Sequence, residues 1–207
     1  MRTGDRFPLA LLLATGVILV GSGIRPHDRL TWILEVFPVV VGAPLLMATY
    51  GRFRLTNLVY LLIFVHAAIL MIGGHYTYAL TPVGFWLQEL FGFARNHYDR
   101  IGHLAQGFVP ALIARELLLR KTPLQRGGWL FFLVLSVCLA ISVMYELIEW
   151  WAALASGSAA DAFLATQGDI WDTQWDMFLA GIGATAAQLL LARAHDRQLA
   201  TPSGRDA

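Results

Sequence analysis

Six chemically active side chains form three pairs at helical spacing in an otherwise apolar sequence. The pairs are Asp99 and His103, Glu146 and Glu149, and Asp172 and Asp176. Members of a pair are three or four residues apart, so both lie on one face of an α-helix. Carboxylate and imidazole groups from facing helices can hold a metal ion, and this mixture suits Mg²⁺, Mn²⁺, Fe²⁺ or Zn²⁺ without selecting one. All six are candidate catalytic residues, and all except Asp99 are candidate ligands of a divalent metal.

The pair Glu146 and Glu149 needs a compensating positive charge. It comes at the end of an apolar segment, where the helix dipole disfavours carboxylates. A metal ion, the guanidinium groups of Arg95 or Arg100, or the head group of a substrate could supply that charge. Arg95 and Arg100 are also candidate substrate-binding residues, because guanidinium groups clamp anionic head groups. Asp169 is predicted to be a loop cap or an exposed charge.

The composition predicts an integral membrane protein. Of 207 residues, 57% are hydrophobic and 14% are charged, whereas about a quarter are charged in soluble domains. A net charge of +1 without a basic stripe argues against a nucleic-acid partner. The sequence contains no His-Glu-x-x-His, phosphate-binding glycine loop or paired Cys-x-x-Cys motif, which argues against the enzyme and nucleotide-binding classes that depend on them.

Six apolar segments are long enough for membrane-spanning helices of about 20 residues. They are residues 8–24, 30–49, 55–73, 101–120, 128–151 and 173–193. We therefore predict an all-α, polytopic membrane helix bundle that forms a single integral membrane domain over residues 1–207. Thr81 and Pro82 give a helix-start signal before a stretch too short to span, so we expect an interfacial or re-entrant helix there.

The positive charges predict the orientation of the bundle. With the N-terminus inside, eleven of the 15 Lys and Arg residues lie on the cytoplasmic side and four lie outside. Six of the seven tryptophans then fall at the outer boundary, where indole rings are favoured. This places both termini in the cytoplasm and the three charged pairs at the outer face of the membrane. The lipid bilayer is the expected partner of the protein.

Other unusual residues lie inside the predicted spans. Glu35 and His66 are in the outer halves of the second and third spans, where each either joins the charged pairs or bonds a neighbouring helix. For His66 the structural role is the better interpretation. The sixth span also carries a face of small residues, which predicts a close helix–helix contact. These residues are Ala180, Gly183, Ala184 and Ala187.

Three functional hypotheses follow from these residues. The first is an enzyme that performs metal-assisted chemistry on, or binds, a lipid or lipid-linked head group at the outer leaflet. The second is a cation- or proton-coupled transporter, which requires polar groups through the full depth of the membrane; the inner halves of the spans have few. The third is a non-catalytic scaffold, in which the acidic groups pair with Arg95, Arg100 and loop backbone.

Several long motifs resemble one known family. They are Gly-Gly-His-Tyr-Thr-Tyr, Gly-Phe-Trp-Leu-Gln-Glu-Leu-Phe-Gly, Arg-Asn-His-Tyr-Asp-Arg-Ile-Gly-His, Phe-Val-Pro-Ala-Leu-Ile-Ala-Arg-Glu, Tyr-Glu-Leu-Ile-Glu-Trp and Thr-Gln-Gly-Asp-Ile-Trp-Asp-Thr-Gln-Trp-Asp-Met. Together they resemble the bacterial inner-membrane YjdF family. The resemblance implies a multi-pass protein of the bacterial inner membrane and no particular activity.

A shorter signature is similar to VanZ-like membrane proteins, which are associated with glycopeptide-antibiotic resistance. In those proteins an Asp-x-x-x-His opens one span, a Glu closes the next, and Asp residues precede a helix of small residues. The similarity implies such roles for Asp99, His103, Glu146, Asp172 and Asp176. It favours an outward-facing polar site near envelope lipids.

Overall fold

The computed structural model describes residues 5–157 and 161–200. Its elements, in chain order, are α1 (Arg6–Ser22), α2 (Arg29–Thr49), α3 (Asn57–Tyr76), a short 3-10 helix (Tyr78–Leu80), α4 (Pro82–Phe91), α5 (Tyr98–Lys121), α6 (Gly128–Ser156), α7 (Asp161–Leu164) and α8 (Asp172–Ala200). No β-strand occurs in these two ranges. The prediction of an all-α fold is confirmed.

Each of the six apolar segments corresponds to one helix. Four of these helices, α2, α3, α6 and α8, are long and apolar enough to cross a membrane by length and composition. The helix α1 has only 17 residues, and α5 contains several buried polar side chains. Several helices run further than predicted, and the largest extensions are those of α6, which ends at Ser156, and α8, which ends at Ala200. The extra turn of α6 is rich in alanine, a strong helix former, and the end of α8 is polar but held by ion pairs.

Apolar side chains cover the outside of the bundle. Val17, Leu189 and Leu190 are 73%, 71% and 72% exposed, whereas Glu116 and Asp176 are 0% and 2% exposed. A soluble protein shows the opposite distribution of charged side chains. This surface is the one that a protein surrounded by lipid requires, because charged groups near lipid face the protein interior.

The backbones of α5 and α8 are in direct contact. A Cβ atom at Gly107 would lie 1.8 Å from the Ala180 carbonyl oxygen, and one at Gly183 would lie 2.1 Å from the Leu104 carbonyl oxygen. Neither position has room for a side chain, so the two glycines allow the helices to approach this closely. Ala180 and Ala184 on the same face of α8 are fully buried. The predicted close contact of the small-residue face is confirmed.

A second glycine-lined contact holds Tyr78 between α3 and α5. Cβ atoms at Gly73 and Gly102 would lie 2.6 Å and 2.9 Å from the Tyr78 ring. The Tyr78 side chain is buried and interacts with the Glu35 carboxyl group of α2. Gly74 lets α2 approach α3, since a Cβ there would lie 3.0 Å from the Glu35 Cβ atom. These contacts fix α2 and α3 against the first half of α5.

Helix α4 begins and ends at residues suited to those positions. Thr81 occupies the cap position and Pro82 the first helical position, although the Thr81 side chain makes no capping hydrogen bond. The helix ends at Phe91 and is followed by the cap residue Gly92, whose φ of +66° is a left-handed conformation that favours glycine. Asn96, just before α5, donates from Nδ2 to the Thr81 carbonyl oxygen at 3.0 Å. It also packs on Gly84, where a Cβ would lie 1.7 Å from the Asn96 Oδ1 atom, so α4 is tied to the start of α5.

A buried ion network joins the other end of α5 to α3 and α8. Glu116 accepts hydrogen bonds from the Thr56 hydroxyl group at 2.9 Å, Arg120 Nη1 at 2.8 Å and His195 Nε2 at 3.0 Å. Arg115 Nη1 lies 3.0 Å from His195 Nδ1. A guanidinium group can only donate hydrogen bonds, so His195 Nδ1 must be the acceptor of this contact. The ring proton is therefore on Nε2, which donates a hydrogen bond to Glu116. No pattern in the sequence indicates this network.

We predict that Gly107→Ala destabilises the protein by at least about 2 kcal/mol, since overpacking a tight contact typically costs about 1–3 kcal/mol. The methyl group would force α5 away from α8 at the Ala180 carbonyl oxygen. The measurement is thermal or denaturant unfolding of the purified protein in detergent. Gly42→Ala in α2 is the matched control, because nothing lies within 4 Å of a Cβ there; equal stability of both variants would contradict the prediction.

Replacing Glu116 by alanine is expected to cost about 3–5 kcal/mol, the penalty for leaving buried partners of an ion pair unmatched. The variant leaves Arg120 and His195 without their common acceptor. The free energy of unfolding in detergent measures the effect. Glu89→Ala is the control, since this exposed acid on α4 should contribute no more than about 0.5 kcal/mol.

Candidate functional site

The structure brings side chains from all three predicted pairs together around His103. His103 Nε2 lies 3.5 Å from Asp99 Oδ1 and 3.9 Å from Asp176 Oδ2. On the other side of the ring, His103 Nδ1 lies 3.8 Å from Glu146 Oε1 and 3.1 Å from Gln106 Oε1. We call the six predicted residues the His103 cluster. They are Asp99, His103, Glu146, Glu149, Asp172 and Asp176.

The contact between α5 and α8 positions the centre of the His103 cluster. His103 precedes Gly107 by four residues, and Asp176 precedes Ala180 by four residues. Each of the two charged side chains is therefore one helical turn from the point where the backbones touch. At that separation the two helices have diverged little, so the imidazole and the carboxylate must face each other.

Helix α6 adds the two glutamates from the opposite side. Glu146 is near His103 and also interacts with the Thr173 side chain. Glu149, one turn further along α6, is half-buried and lies within electrostatic range of Glu146 and Asp99. Two carboxyl groups on one face of α6 thus point toward a region that already contains the two aspartates.

Two carboxylate oxygens in the cluster are buried without a partner. The side chains of Asp176 and Glu146 are 2% and 8% exposed, and neither Asp176 Oδ1 nor Glu146 Oε1 has a hydrogen-bond partner. Leaving such an oxygen unsatisfied costs about 1–3 kcal/mol, and more when the group is charged. Both oxygens belong to groups that border His103, so the cluster has unused capacity to bind a cation.

Asp172 is satisfied in a different way, through Arg95. Arg95 Nη2 donates to Asp172 Oδ1 at 2.7 Å and to Asp169 Oδ2 at 3.1 Å, and Arg95 Nη1 donates to the Thr166 carbonyl oxygen. Arg100 Nη2 donates to the same Asp169 oxygen at 2.9 Å. Both arginines therefore hold the loop before α8, which is the arrangement that the scaffold hypothesis expects for them.

The side chains of the two arginines are partly open to solvent. Arg100 Nε has no hydrogen-bond partner, and the guanidinium carbon of Arg100 lies 5.1 Å from the centre of the Trp175 ring. Partial burial, followed by the charges of Arg100 and Arg95, lowers the pKa of His97. These surroundings therefore disfavour a third positive charge at His97.

Glu35 lies at the edge of the cluster. It is 4% exposed and accepts a hydrogen bond from the Tyr145 hydroxyl group at 3.4 Å. The Tyr145 ring in turn makes an edge contact with the His103 ring, with 6.3 Å between centroids. Glu35 was visible in the sequence as a carboxyl group inside an apolar helix. Tyr145, Tyr78 and Gln106 carried no comparable signal, because a tyrosine or glutamine at a helical position is usually structural.

The geometry suits a small cation. Asp99, His103 and Asp176 each offer a ligand atom, and these atoms all lie within 4.8 Å of one another. Ligands on a cation with bonds of about 2.1 Å lie about 3–4 Å apart, so small side-chain movements would complete a site. Asp99 was not among the predicted metal ligands, and it is better placed for that role than Asp172, whose carboxylate is bonded to Arg95.

Comparisons with known proteins agree with the resemblance noted in the sequence. The family model described as "Predicted membrane protein (DUF2238)" matches residues 7–197. The chain is 57% identical over 187 residues to the inner membrane protein YjdF of Escherichia coli (strain K12), which covers 90% of each chain. No solved structure matches the chain. The resemblance to the YjdF family and the expected multi-pass, inner-membrane character are confirmed. The chain belongs to the DUF2238 family of membrane proteins.

Proposed function

We propose that this inner-membrane protein binds a divalent cation in the His103 cluster and uses it on the head group of a lipid or lipid-linked substrate. The whole chain, residues 1–207, forms one membrane domain with six spans. Helices α1 and α5 cross the membrane together with α2, α3, α6 and α8, and α4 lies at the interface. Both termini are cytoplasmic, so the cluster faces outward.

The charge distribution supports this topology. Placing the N-terminus inside puts eleven of the 15 Lys and Arg residues on the cytoplasmic side, as the positive-inside rule requires. The cluster then lies where α5 and α8 begin and α6 approaches its end. The buried network around Glu116 lies at the cytoplasmic ends of α5 and α8.

The unpaired oxygens of Asp176 and Glu146 carry the proposal of a cation site. No Arg or Lys within the described residues forms an ion pair with Asp99, Asp176 or either glutamate of the cluster. Burying several carboxylates beside one imidazole is costly unless a cation balances them. We assign Asp99, His103 and Asp176 as the principal ligands, with Glu146 as a fourth and Glu149 beside them.

The proposed chemistry follows from the groups on either side of the cation. A divalent ion there would polarise a phosphoryl or carbonyl oxygen, or lower the pKa of a bound water molecule. Asp172 orients Arg95, and Arg95 and Arg100 would bind the anionic part of the head group. Glu149, the one member of the cluster without such a role, would accept or donate a proton.

The scaffold hypothesis is the second candidate, because Arg95 and Arg100 already bond to Asp169. Transport is the least supported hypothesis. Between the two polar ends of α5 and α8, Gly107 and Gly183 bring the backbones into contact, and Ala184 and Ala187 are fully buried. The middle of this interface is thus lined mainly by glycine and alanine and offers an ion few polar groups.

We predict that the wild-type protein, purified in detergent, binds Mn²⁺ with a stoichiometry near one and that Asp176→Asn or His103→Gln weakens binding at least about tenfold. Loss of an outer-shell partner alone costs about 10–100-fold in affinity, and these are proposed direct ligands. Isothermal titration calorimetry with Mn²⁺ gives affinity and stoichiometry. Glu89→Gln, which removes an exposed acid of α4, should bind like wild type.

Thermal unfolding of the same samples separates loss of binding from loss of structure. A wild-type protein that is folded and binds no divalent cation would eliminate the cation site and favour the scaffold. Substitutions in the cluster that lower the free energy of unfolding by several kcal/mol and leave Mn²⁺ binding unchanged would also favour the scaffold.

Cation binding should also release a proton, so the affinity should rise with pH. Both ring nitrogens of His103 face oxygen atoms, and a doubly protonated ring satisfies this arrangement when no metal is bound. A cation at Nε2 must displace that proton. Titrations in two buffers of different ionisation enthalpy should show release of about one proton in wild type and about none in His103→Gln. Tight binding with no dependence on the buffer would refute this interpretation.

A further inference from the structure

One carboxylate oxygen of Asp169 accepts hydrogen bonds from two guanidinium groups. Asp169 Oδ2 lies 3.1 Å from Arg95 Nη2 and 2.9 Å from Arg100 Nη2. The other oxygen, Oδ1, accepts the backbone N–H of Trp171 at 3.0 Å. The carboxylate thus combines a local turn with a bridge between two arginines. Asp169 was expected to be a loop cap or an exposed charge; it caps its loop, and it is also paired with two arginines.

We propose that Asp169 occupies the position of a ligand phosphate, and that Arg95 and Arg100 form an anion-binding pair which Asp169 blocks until such a group displaces it. This inference rests on the proposed function for its setting, and it narrows the ligand to the phosphate-bearing class. An oxygen that receives N–H groups from two guanidinium ions is the arrangement that arginines make with a phosphate oxygen.

Exposure at the site allows exchange with an external anion. The side chains of Arg95, Arg100 and Asp169 are 16%, 25% and 23% exposed, so they are neither sealed from solvent nor freely hydrated. Exposed ion pairs contribute only about 0–1 kcal/mol. A phosphate carries more charge and more acceptor oxygens than one carboxylate, so it can compete for both arginines.

Three further contacts keep the arginines in place when Asp169 leaves. Arg95 retains its bonds to Asp172 and to the Thr166 carbonyl oxygen, and Arg100 is stacked on Trp175. Arg100 Nε is an additional donor without a partner. The pair therefore remains organised for an incoming anion.

The location connects the anion-binding pair to the His103 cluster. Asp172, which bonds Arg95, is the first residue of α8, and Asp176 follows it by one turn. The positive end of the α8 dipole adds to the attraction for an anion. A phosphate held by Arg95 would thus lie on the same side of α8 as the proposed cation.

Asp169→Asn tests the inference with little structural change. The asparagine oxygen can still accept the Trp171 N–H, while its NH₂ group cannot bind either guanidinium group. Full-length protein in detergent is titrated calorimetrically with dihexanoylphosphatidic acid and with inorganic phosphate. The same measurements are made on wild type, on Glu89→Gln as a charge-matched control, and on Asp169→Asn combined with Arg100→Gln.

The expected result is that Asp169→Asn binds dihexanoylphosphatidic acid at least about tenfold more tightly than wild type and Glu89→Gln, a ratio equivalent to 1.4 kcal/mol. The gain should disappear in the double variant. A parallel gain for inorganic phosphate would show that the phosphate group alone suffices, and a gain limited to the lipid would show that the acyl chains are needed; both support the inference.

Equal affinities for Asp169→Asn and wild type would overturn it, as would a gain that persists in the double variant. If Asp169→Asn has lower thermal stability and no higher affinity for either phosphate ligand, the role of Asp169 is purely structural. Titration with Mn²⁺ distinguishes this outcome from failure of the proposed function. If the protein does not bind Mn²⁺ but Asp169→Asn still binds the phosphate ligand more tightly than wild type, the proposed cation site is refuted. The anion-binding pair is then still supported.

Discussion

The backbone contact between α5 and α8 is the constraint on which the charged groups at both ends of the bundle depend. Gly107 and Gly183 have no side chains, and a side chain at either position would push the two helices apart. One turn from this contact, His103 faces Asp176, and toward the other end Glu116 faces His195. Helices held at the wider separation that larger side chains impose would place these pairs too far apart to interact. Small residues between α5 and α8 thus determine which charged groups can pair toward either end of the two helices.

The two polar ends of this helix pair differ in how completely their charges are matched. Glu116 is fully buried and receives hydrogen bonds from Thr56, Arg120 and His195, so its carboxylate has little capacity left. Asp176 and Glu146 are almost as deeply buried, and each has an oxygen without a partner. A saturated network serves stability, whereas unsatisfied buried groups are expected where a ligand binds. This contrast is the physical reason for assigning structure to one end and function to the other.

Patterns local in sequence predicted most of the fold and the core of the site. Apolar length located the helices, and the spacing of Asp99 and His103 placed both on one face of α5. The network around Glu116 was not predictable in this way, because its partner His195 is 79 residues distant and lies beyond the apolar part of α8. The scaffold hypothesis did foresee that Arg95 pairs with an acidic group, and Asp172 is such a partner. The double pairing of Asp169 was not predictable, because this residue lies in an irregular loop and is positioned by turns that no hydrophobic period encodes.

The two histidines on this helix pair meet different partners. At His195 the guanidinium group of Arg115 points its N–H at Nδ1, so Nδ1 accepts this hydrogen bond and Nε2 donates to Glu116. At His103 both ring nitrogens face oxygen atoms, Asp99 Oδ1 at Nε2 and Gln106 Oε1 at Nδ1. The partners of His195 therefore fix the orientation and tautomer of its ring, whereas the His103 ring has acceptors on both sides and can change partners without losing them. The α5–α8 pair thus combines a histidine of fixed orientation at one end with an adaptable histidine at the other.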